Sequence, residues 1–281
     1  MAEFNSIAGY EVIATLGYGA RSVIFKVRDV NQDLYALKRV NKSSPSDQRF
    51  VDQAIQEHQI ARQFDHPALR KSYRLIKHRS FVRTRGVIVI MELVEGQTLE
   101  QYQPPTIAET IDLFRHVSEG LAAMHAAGYV HADIKPNNIM VDKQYQVKLI
   151  DFGQSCTIGT VKQRIQGTPD YIAPEQVRRQ AITVRTDVFN LGATMYWLLT
   201  RRHVPTSMPK KGQVGSRLEV KEPCLPPIEI NSDVPAALSS LVMDCIERGP
   251  HRRPETMAQV ISRLEVAASQ CRQAQEQKAS G

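Results

Sequence analysis

The sequence predicts an α+β protein of two lobes, a β-rich first lobe with one helix and a mainly helical second lobe. Strand-like segments dominate up to about residue 92, and helical periodicity dominates from about residue 97. A length of 281 residues is enough for one large domain or for two lobes around a cleft. We therefore expect one domain over residues 8–268, with lobes at 8–92 and 97–268 and a joint at 92–97.

The strands of the first lobe are predicted from short apolar runs and from alternation of apolar with polar residues. Residues 12–16 form an apolar run, and residues 23–28 alternate. Residues 34–40 give a third strand, and residues 87–93 have the apolar character of a buried strand.

One helix, at about residues 47–64, interrupts these strands. Apolar residues at helical spacing mark its inward face: Phe50, Ala54, Ala61 and Phe64. Glu57 falls on the same face, and a carboxylate among apolar side chains is costly unless it is paired with a cation. We expect the third strand to supply that cation as Lys38.

The second lobe begins with a helix whose start is marked by a capping box of Thr106 and Glu109. Its apolar stripe consists of Phe114, Val117, Leu121 and Met124. Two further helices are expected near residues 235–247 and 254–268, after an irregular, proline-rich segment at 203–235. The polar, glutamine-rich residues 269–281 are expected to be disordered.

The composition argues against several classes of protein. The chain carries 36 Lys and Arg against 29 Asp and Glu, but these cations are scattered and no groove-reading motif accompanies them, which disfavours nucleic-acid binding. No apolar run reaches the length of about 18 residues that predicts a membrane span, and no secretory signal is evident. Four cysteines without C-x-x-C spacing indicate free thiols in a reducing cytoplasm.

Two neighbouring loops carry the residues from which a reaction can be inferred. Asp133 and Asn138 stand five positions apart in the run His-Ala-Asp-Ile-Lys-Pro-Asn-Asn, and Asp151 follows Asp133 by eighteen positions in Asp-Phe-Gly. Phosphoryl transfer needs one carboxylate to orient an attacking hydroxyl, and a carboxylate plus an amide oxygen to hold Mg²⁺ on a triphosphate. The two loops contain that set.

A glycine-containing turn joins the first two strands. Glycines let a backbone pass close to phosphates without a Cβ clash. Taken alone, Gly17 and Gly19 are a weak signal, and a plain hairpin turn is the better interpretation. Their place before a strand with Lys38 in its interior favours phosphate binding.

These motifs, in order from Gly17 to Arg253, resemble those of eukaryotic-type protein kinases. The resemblance implies a two-lobed protein kinase fold with ATP and Mg²⁺, or Mn²⁺ in its place, between the lobes. It implies transfer of the γ-phosphoryl group to Ser or Thr hydroxyls of protein substrates, because Lys135 stands where Ser/Thr kinases have Lys. The short chain and the run Thr-Pro-Asp-Tyr-Ile-Ala-Pro-Glu at 168–175 are most similar to compact bacterial Ser/Thr kinases.

The resemblance also implies roles for the residues of the two loops. Asp133 is expected to orient the substrate hydroxyl and accept its proton, and Lys135 to contact the γ-phosphate. Lys38 is expected to reach the α- and β-phosphates. Asn138 and Asp151 are the expected ligands of Mg²⁺.

The nucleotide site implied by the resemblance draws on the glycine turn, the neighbouring strands and the joint. Backbone groups of Glu92 and Val94 are expected to read the adenine edge, with Met91 beside them as gatekeeper. The residues expected to contact the nucleotide or to hold those that do are Leu16, Gly17, Tyr18, Gly19, Val23, Ala36, Lys38, Glu57, Met91, Glu92, Val94 and Met140.

Three further contacts are implied within the second lobe. Thr168 is expected to bond both Asp133 and Lys135. The other two are a structural ion pair between Glu175 and Arg253 and a bond from Asp187 to the backbone of the catalytic loop.

The chain departs from the family pattern at two positions. Ser22 stands where a third glycine is usual, which is a mild change to another small residue. Ala132 stands where most relatives have an Arg that anchors a phosphorylated activation-loop residue. We therefore expect activity that does not depend on such phosphorylation, although Lys162 and Arg164 are candidates for substitute partners.

Other functions remain open on the sequence alone. A pseudokinase or scaffold would bind nucleotide or partners without turnover, but such proteins usually lack one of Lys38, Asp133 and Asp151, all of which are present. Phosphorylation of a small molecule is disfavoured by the run Gly-Thr-Pro-Asp-Tyr at 167–171, which resembles the substrate-docking loop of Ser/Thr kinases, and by the Ala-Pro-Glu that follows at 173–175. No sensor domain is evident, so we expect any regulatory input to come from a separate protein.

Overall fold

The computed structural model describes residues 6–19, 21–80, 83–205 and 224–280. The chain forms two compact units. The first comprises Met1–Gly96 with Ile150–Gly153, and the second comprises Gln97–Leu149 with Gln154–Gly281. The first is β-rich with one long helix and the second is mainly helical, which confirms the predicted α+β class.

The first unit is built on a six-stranded antiparallel sheet in the order β1-β2-β3-β4-β6-β5. The strands are β1 (Ser6–Ile7), β2 (Tyr10–Tyr18), β3 (Ser22–Arg28), β4 (Leu34–Asn41), β5 (Ser72–Ser80) and β6 (Arg83–Glu92). The sequence did not predict β5. It lies at the edge of the sheet, where its Arg, Lys and His side chains are tolerated and obscure the apolar pattern.

One helix, α1 (Gln48–Ala61), packs against this sheet. Val51 and Ala54 of the helix join Val40 and Val87 of the sheet in a buried cluster. The helix is three residues shorter at its end than predicted, and Phe64 lies beyond it. This arrangement places Glu57 on the inward, buried face of α1, as expected.

The Ile150–Gly153 segment packs with the first unit, although the sequence placed it within the second lobe. The Phe152 ring lies 6.3 Å from that of Phe64, and Gln53 Nε2 donates to Gly153 O at 2.9 Å. These two contacts join residues that are 88 and 100 positions apart in the chain, and they account for the difference.

The second unit is organised around helices that bury the predicted apolar stripe. Its helices are α2 (Ile107–Ala126), α3 (Pro174–Val177), α4 (Val184–Thr200), α5 (Pro227–Ile230), α6 (Ala236–Cys245) and α7 (Met257–Ser280). The capping box of Thr106 and Glu109 at the start of α2 is confirmed. No helix in the described ranges is both long and apolar enough to cross a membrane.

The expectation of a disordered tail from residue 269 was wrong for the backbone, because α7 continues to Ser280. The tail has neither Gly nor Pro before residue 281, and it contains four Gln and two Ala besides single Arg, Lys and Glu residues. These residues favour helix, so a polar composition here indicates a solvated helix rather than disorder. Of the irregular segment expected at 203–235, residues 206–223 lie outside the described residues, and α5 occupies part of the rest.

Short strands of the second unit frame the loop that holds Asp133. They are β7 (Gly96–Thr98), β8 (Tyr129–Val130), β9 (Ile139–Asp142), β10 (Val147–Leu149) and β11 (Cys156–Thr157). β9 pairs with β10, and β8 pairs with β11. The loop 131–138 therefore leaves one short sheet and enters another, which fixes both of its ends.

Candidate active site

The loop 131–138 is anchored by a carboxylate from the first turn of α4. Asp187 Oδ2 accepts the backbone N–H of His131 at 2.8 Å, and Oδ1 accepts that of Ala132 at 2.7 Å. His125 Nε2 donates to Oδ2 at 2.8 Å. Burial alone would raise the pKa of the Asp187 carboxyl, but the bonds from His125 and Ala132 outweigh it and lower the pKa. The expected bond from Asp187 to the loop backbone is confirmed.

Ala132 has a backbone conformation that L-residues rarely adopt, with φ at 60°. Its N–H is held by Asp187, and Gln176 Nε2 of α3 donates to its carbonyl oxygen at 2.8 Å. Such a conformation costs about 1–3 kcal/mol and persists where surrounding contacts over-determine it. The two side chains supply that constraint and so fix the peptide that precedes Asp133.

Asp133, Lys135 and Thr168 form a triangle of hydrogen bonds. Thr168 Oγ1 donates to Asp133 Oδ1 at 3.0 Å, and Lys135 Nζ donates to Asp133 Oδ2 at 2.9 Å. Lys135 Nζ also donates to Thr168 Oγ1 at 2.7 Å. The expectation that Thr168 bonds both residues is confirmed. Each oxygen of the carboxylate has a donor, so the orientation of the Asp133 side chain is fixed.

Asn138 is oriented by the same residue. Its Nδ2 donates to the Asp133 carbonyl oxygen at 2.8 Å and lies 3.3 Å from Oδ2. The amide nitrogen is therefore committed, and in the part of the chain that the structure describes no donor contacts Oδ1. An amide oxygen with its nitrogen fixed is a suitable ligand for a hard cation such as Mg²⁺.

The first unit holds a buried ion cluster around Glu57. Lys38 Nζ of β4 lies 2.5 Å from Glu57 Oε2, which confirms the predicted pair. Arg70 Nη2 donates to Glu57 Oε1 at 2.9 Å, so the carboxylate has two cations. Burial acts to lower the pKa of Lys38, but the charges of Glu57 and Asp151 outweigh it and raise the pKa. Lys38 is therefore a fixed cation at neutral pH.

At only one of the two glycines of the turn between β2 and β3 would an added Cβ meet a neighbouring atom. Gly19 N donates to Ser22 O at 2.7 Å, and a Cβ on Gly19 would lie 2.5 Å from Ser22 Oγ. A Cβ on Gly17 would meet nothing within 4 Å. Leu16 and Tyr18 are exposed and Val23 is half-buried, so their side chains are accessible to a ligand.

The remaining nucleotide candidates lie on β4, on β6 and just after it, and on β9. Ala36 and Met91 face one another across the β4–β6 ladder and share a buried cluster. Glu92 exchanges two bonds with Lys71, one through its backbone N–H and one through its carboxylate. The backbone N–H and C=O of Val94 have no partner among the described residues, and Met140 is half-buried on β9 of the second unit.

The segment after Thr168 is held by a buried ion pair. Arg253 Nη1 and Nη2 donate to Glu175 Oε1 and Oε2 at 2.8 and 3.0 Å. The guanidinium also lies 4.8 Å from the centre of the Phe189 ring. The predicted Glu175–Arg253 pair is confirmed, and its bidentate geometry fixes the start of α3.

Comparison with known proteins assigns the family. The sequence model for the protein kinase domain matches residues 10–264. The chain belongs to the protein kinase family. The match covers both units, in agreement with the motif order read from the sequence.

Curated bacterial serine/threonine-protein kinases are among the relatives of this kinase. A probable serine/threonine-protein kinase of Clostridium acetobutylicum is 27% identical over 267 residues, covering 91% of this chain and 39% of the relative. PknB of Mycolicibacterium smegmatis is 28% identical, covering 89% and 41%, and PrkC of Bacillus subtilis is 27% identical, covering 88% and 38%. The chain spans about two fifths of the length of the curated relatives that it matches.

The activation segment, residues 151–175, contains a cation that bonds within the segment itself. Lys162 Nζ donates to Gln154 O at 2.6 Å and to Gln154 Oε1 at 3.1 Å. Burial lowers the pKa of Lys162. Arg164 is exposed, and Ser155 is buried with its hydroxyl 3.4 Å from His131 O. Of the two substitute cations considered from the sequence, Lys162 is therefore the one bonded within the segment.

Sequence reasoning missed three residues that shape the site. His125 and Gln176 act on the catalytic loop, and Arg70 acts on Glu57. His125 lies at the end of α2 and Gln176 in a four-residue helix, where no local pattern marks them. Arg70 offered a weak signal, since it is a charged residue directly after the apolar Ala68 and Leu69.

Proposed function

We propose that this chain is the catalytic domain of a Ser/Thr protein kinase, extending over about residues 8–268. It transfers the γ-phosphoryl group of ATP to Ser or Thr hydroxyls of protein substrates. The observation that carries the proposal is the triangle of Asp133, Lys135 and Thr168, with an oriented carboxylate beside a fixed cation. The relatives compared above are themselves named as serine/threonine-protein kinases, which agrees with this activity.

In this proposal Asp133 orients the substrate hydroxyl and accepts its proton as the new P–O bond forms. Lys135 lies 2.9 Å from that carboxylate and stabilises charge on the transferred group. Thr168 donates a hydrogen bond to Asp133 Oδ1, so the orientation of the Asp133 carboxylate depends on the loop that contains Thr168. Most of the rate enhancement then comes from positioning and electrostatics.

Nucleotide binding is proposed for the accessible groups of the first unit. Val94 offers an N–H and a C=O without partners among the described residues, which suits the adenine edge together with the carbonyl of Glu92. Leu16 and Val23 offer accessible apolar side chains, and the turn at Gly17, Tyr18 and Gly19 offers backbone to the phosphates. Ala36 and Met91 are buried, so for them the proposal rests on the resemblance. Lys38 supplies the phosphate-binding cation, and for Met140 the proposal rests on the resemblance alone.

Asn138 and Asp151 are proposed as the ligands of Mg²⁺. The donor chemistry fits, because Asn138 presents an amide oxygen with its nitrogen committed elsewhere. Asp151 is oriented by the Gly153 N–H, which donates to its Oδ1 at 2.8 Å. When bound, the metal neutralises charge on the β- and γ-phosphates. The same oxygen ligands also suit Mn²⁺.

We also propose that activity is independent of phosphorylation in the activation segment. Ala132 has no cationic side chain with which to bind a phosphate, and its backbone is already held by Asp187 and Gln176. Lys162 is engaged with Gln154, within the segment itself. These contacts order the loop and the segment without an added phosphate.

The decisive experiment is transfer of labelled γ-phosphate from ATP–Mg²⁺ to the chain itself and to a generic basic protein. Asp133→Ala is the test variant, and Asp233→Ala, at an exposed position, is the matched control. Label on Ser or Thr that vanishes only in Asp133→Ala supports the proposal. Folded protein that binds ATP but transfers no label, or transfers it only to small alcohols, contradicts the proposal and favours a pseudokinase or a small-molecule kinase.

A further inference from the structure

Arg70 is a buried arginine between α1 and β5 that the site described so far does not require. Only 5% of its surface is exposed. Nη2 donates to Glu57 Oε1 at 2.9 Å, and Nη1 contacts Met91 Sδ. Its Nε has no partner within the described part of the chain. A buried guanidinium with an unsatisfied donor is costly, so Arg70 depends on Glu57 for most of its compensation.

Glu57 divides its two oxygens between two cations. Oε2 accepts from Lys38 of β4, and Oε1 accepts from Arg70. Glu57 is itself buried, so loss of both donors would leave an uncompensated charge in the interior. Because Arg70 is a second cation, Glu57 keeps one donor even when Lys38 contacts another group.

Lys38 is the donor with a competing task. In the proposed function it binds the nucleotide phosphates, which draw on the same three N–H groups that reach Glu57. Arg70 has no such task, because its guanidinium is enclosed by Glu57 and Met91. A planar guanidinium is also held more rigidly than an ammonium on a four-carbon chain.

We propose that Arg70 is a positioning residue that fixes Glu57, and with it the inward face of α1, whether or not nucleotide is bound. Lys38, whose ammonium has three N–H donors, then contacts phosphate without being the only cation that holds Glu57 and α1. This inference rests on the proposed function, since it assigns Lys38 to the nucleotide. It implies that α1 is already in its working position before ATP binds.

The test uses Arg70→Met, which keeps volume but removes the charge, and Arg70→Lys, which keeps the charge but replaces the planar guanidinium with a compact ammonium. Arg62→Met, at the exposed end of α1, is the matched control. The first readout is backbone hydrogen exchange of α1 without nucleotide. In Arg70→Met we expect exchange across α1 to rise about tenfold, with Arg70→Lys in between and Arg62→Met unchanged.

The second readout separates positioning from packing. If α1 is only partly in place without Arg70, ATP must select that fraction, so KM for ATP rises about tenfold while kcat at saturating ATP changes less than about threefold. On a Glu57→Gln background, Arg70→Met should add little to either change, because the interaction is already lost. A simple packing role would give the same added loss on both backgrounds.

Wild-type exchange in folded Arg70→Met, or an undiminished effect on the Glu57→Gln background, would overturn the proposal. If Arg70→Met does not fold, the Arg70→Lys variant carries the test, and wild-type exchange in it overturns the proposal as well. Hydrogen exchange needs no turnover, so failure of phosphoryl transfer in the wild-type protein would refute the proposed function without deciding the role of Arg70.

Discussion

Asp187 and Ala132 lie 55 residues apart in the chain, yet the carboxylate of one fixes the strained peptide of the other at 2.7 Å. The bond comes from the first turn of α4 and acts on the residue immediately before Asp133. The orientation of the proposed base is therefore set by a side chain that has no chemical role in the transfer.

Asp187→Asn should weaken this anchor. An amide keeps one acceptor oxygen and replaces the other with a donor that faces an N–H, so a charge-assisted bond becomes a repulsive contact. We expect a loss of about 1.5–3 kcal/mol in the free energy of unfolding, measured with urea. Asp233→Asn, at an exposed position, should change it by less than about 0.5 kcal/mol. Equal stability of the two variants would show that Asp187 does not hold the loop.

Thr168→Ala should lower kcat because Asp133 and Lys135 both lose a partner. Misplacement of a reacting group by about 1 Å can cost about a hundredfold in rate, and we expect a drop of about ten- to a hundredfold. Thr168→Ser keeps the hydroxyl and should retain most activity. Steady-state assays at saturating ATP distinguish the two, and similar rates for both variants would remove Thr168 from the site.

Replacement of Thr157 and Thr160 by Ala should leave transfer within about twofold of wild type, as for most surface substitutions. Their hydroxyls bond each other at 3.0 Å, and Thr160 Oγ1 also donates to Thr157 O, so they contribute only a local turn. On the proposal that activity does not depend on phosphorylation of this segment, no phosphate is needed at these positions, because Ala132 has no cation to bind one. A loss comparable to that of Thr168→Ala would show that the segment does require modification.

Arg253→Met should destabilise the second unit strongly. It leaves the Glu175 carboxylate buried with only the Thr186 hydroxyl as donor among the contacts described. Breaking a buried ion pair from one side costs about 3–5 kcal/mol. Arg252→Met is the control, because the Arg252 side chain is 69% exposed and its ion pair with Glu247 is long, at 3.9 Å. Similar urea midpoints for the two variants would contradict this assignment.

Cys245 should make stability fall at alkaline pH. Burial raises the pKa of its thiol from the ordinary 9.0 to about 12. Above pH 9 the unfolded thiol releases its proton while the folded thiol keeps it, so the folded state loses up to about 1.4 kcal/mol for each pH unit between those values. We would measure the free energy of unfolding in urea between pH 8 and 10, and we expect it to fall less steeply with pH in Cys245→Ala than in the wild type.

The control for this measurement is Cys271→Ala, because that thiol is only half-buried and should contribute a smaller slope. If wild type and Cys245→Ala lose stability in parallel up to pH 10, the Cys245 thiol ionises without penalty and the argument from burial fails.

Local sequence patterns were enough to predict several of the strands and helices and the main residues of the candidate site. Period-two and helical spacing located β2, β3, β4, β6, α1 and α2, since side-chain direction repeats regularly within one element. The spacing of Asp133, Lys135 and Asn138 in the sequence identified them as members of one loop. The inward Glu57 demanded a cation, and the chain offered Lys38 on a strand interior.

Tertiary structure alone decided the contacts between distant segments. Arg70 and Lys38 divide the oxygens of Glu57, and Gln176 with Asp187 fixes Ala132, because folding brings together groups separated by 13 to 55 residues. The edge strand β5 and the end of α7 were also missed, since neither carries a regular apolar stripe in its sequence. Burial and pairing are properties of the assembled interior, and a linear sequence does not state which buried charges meet.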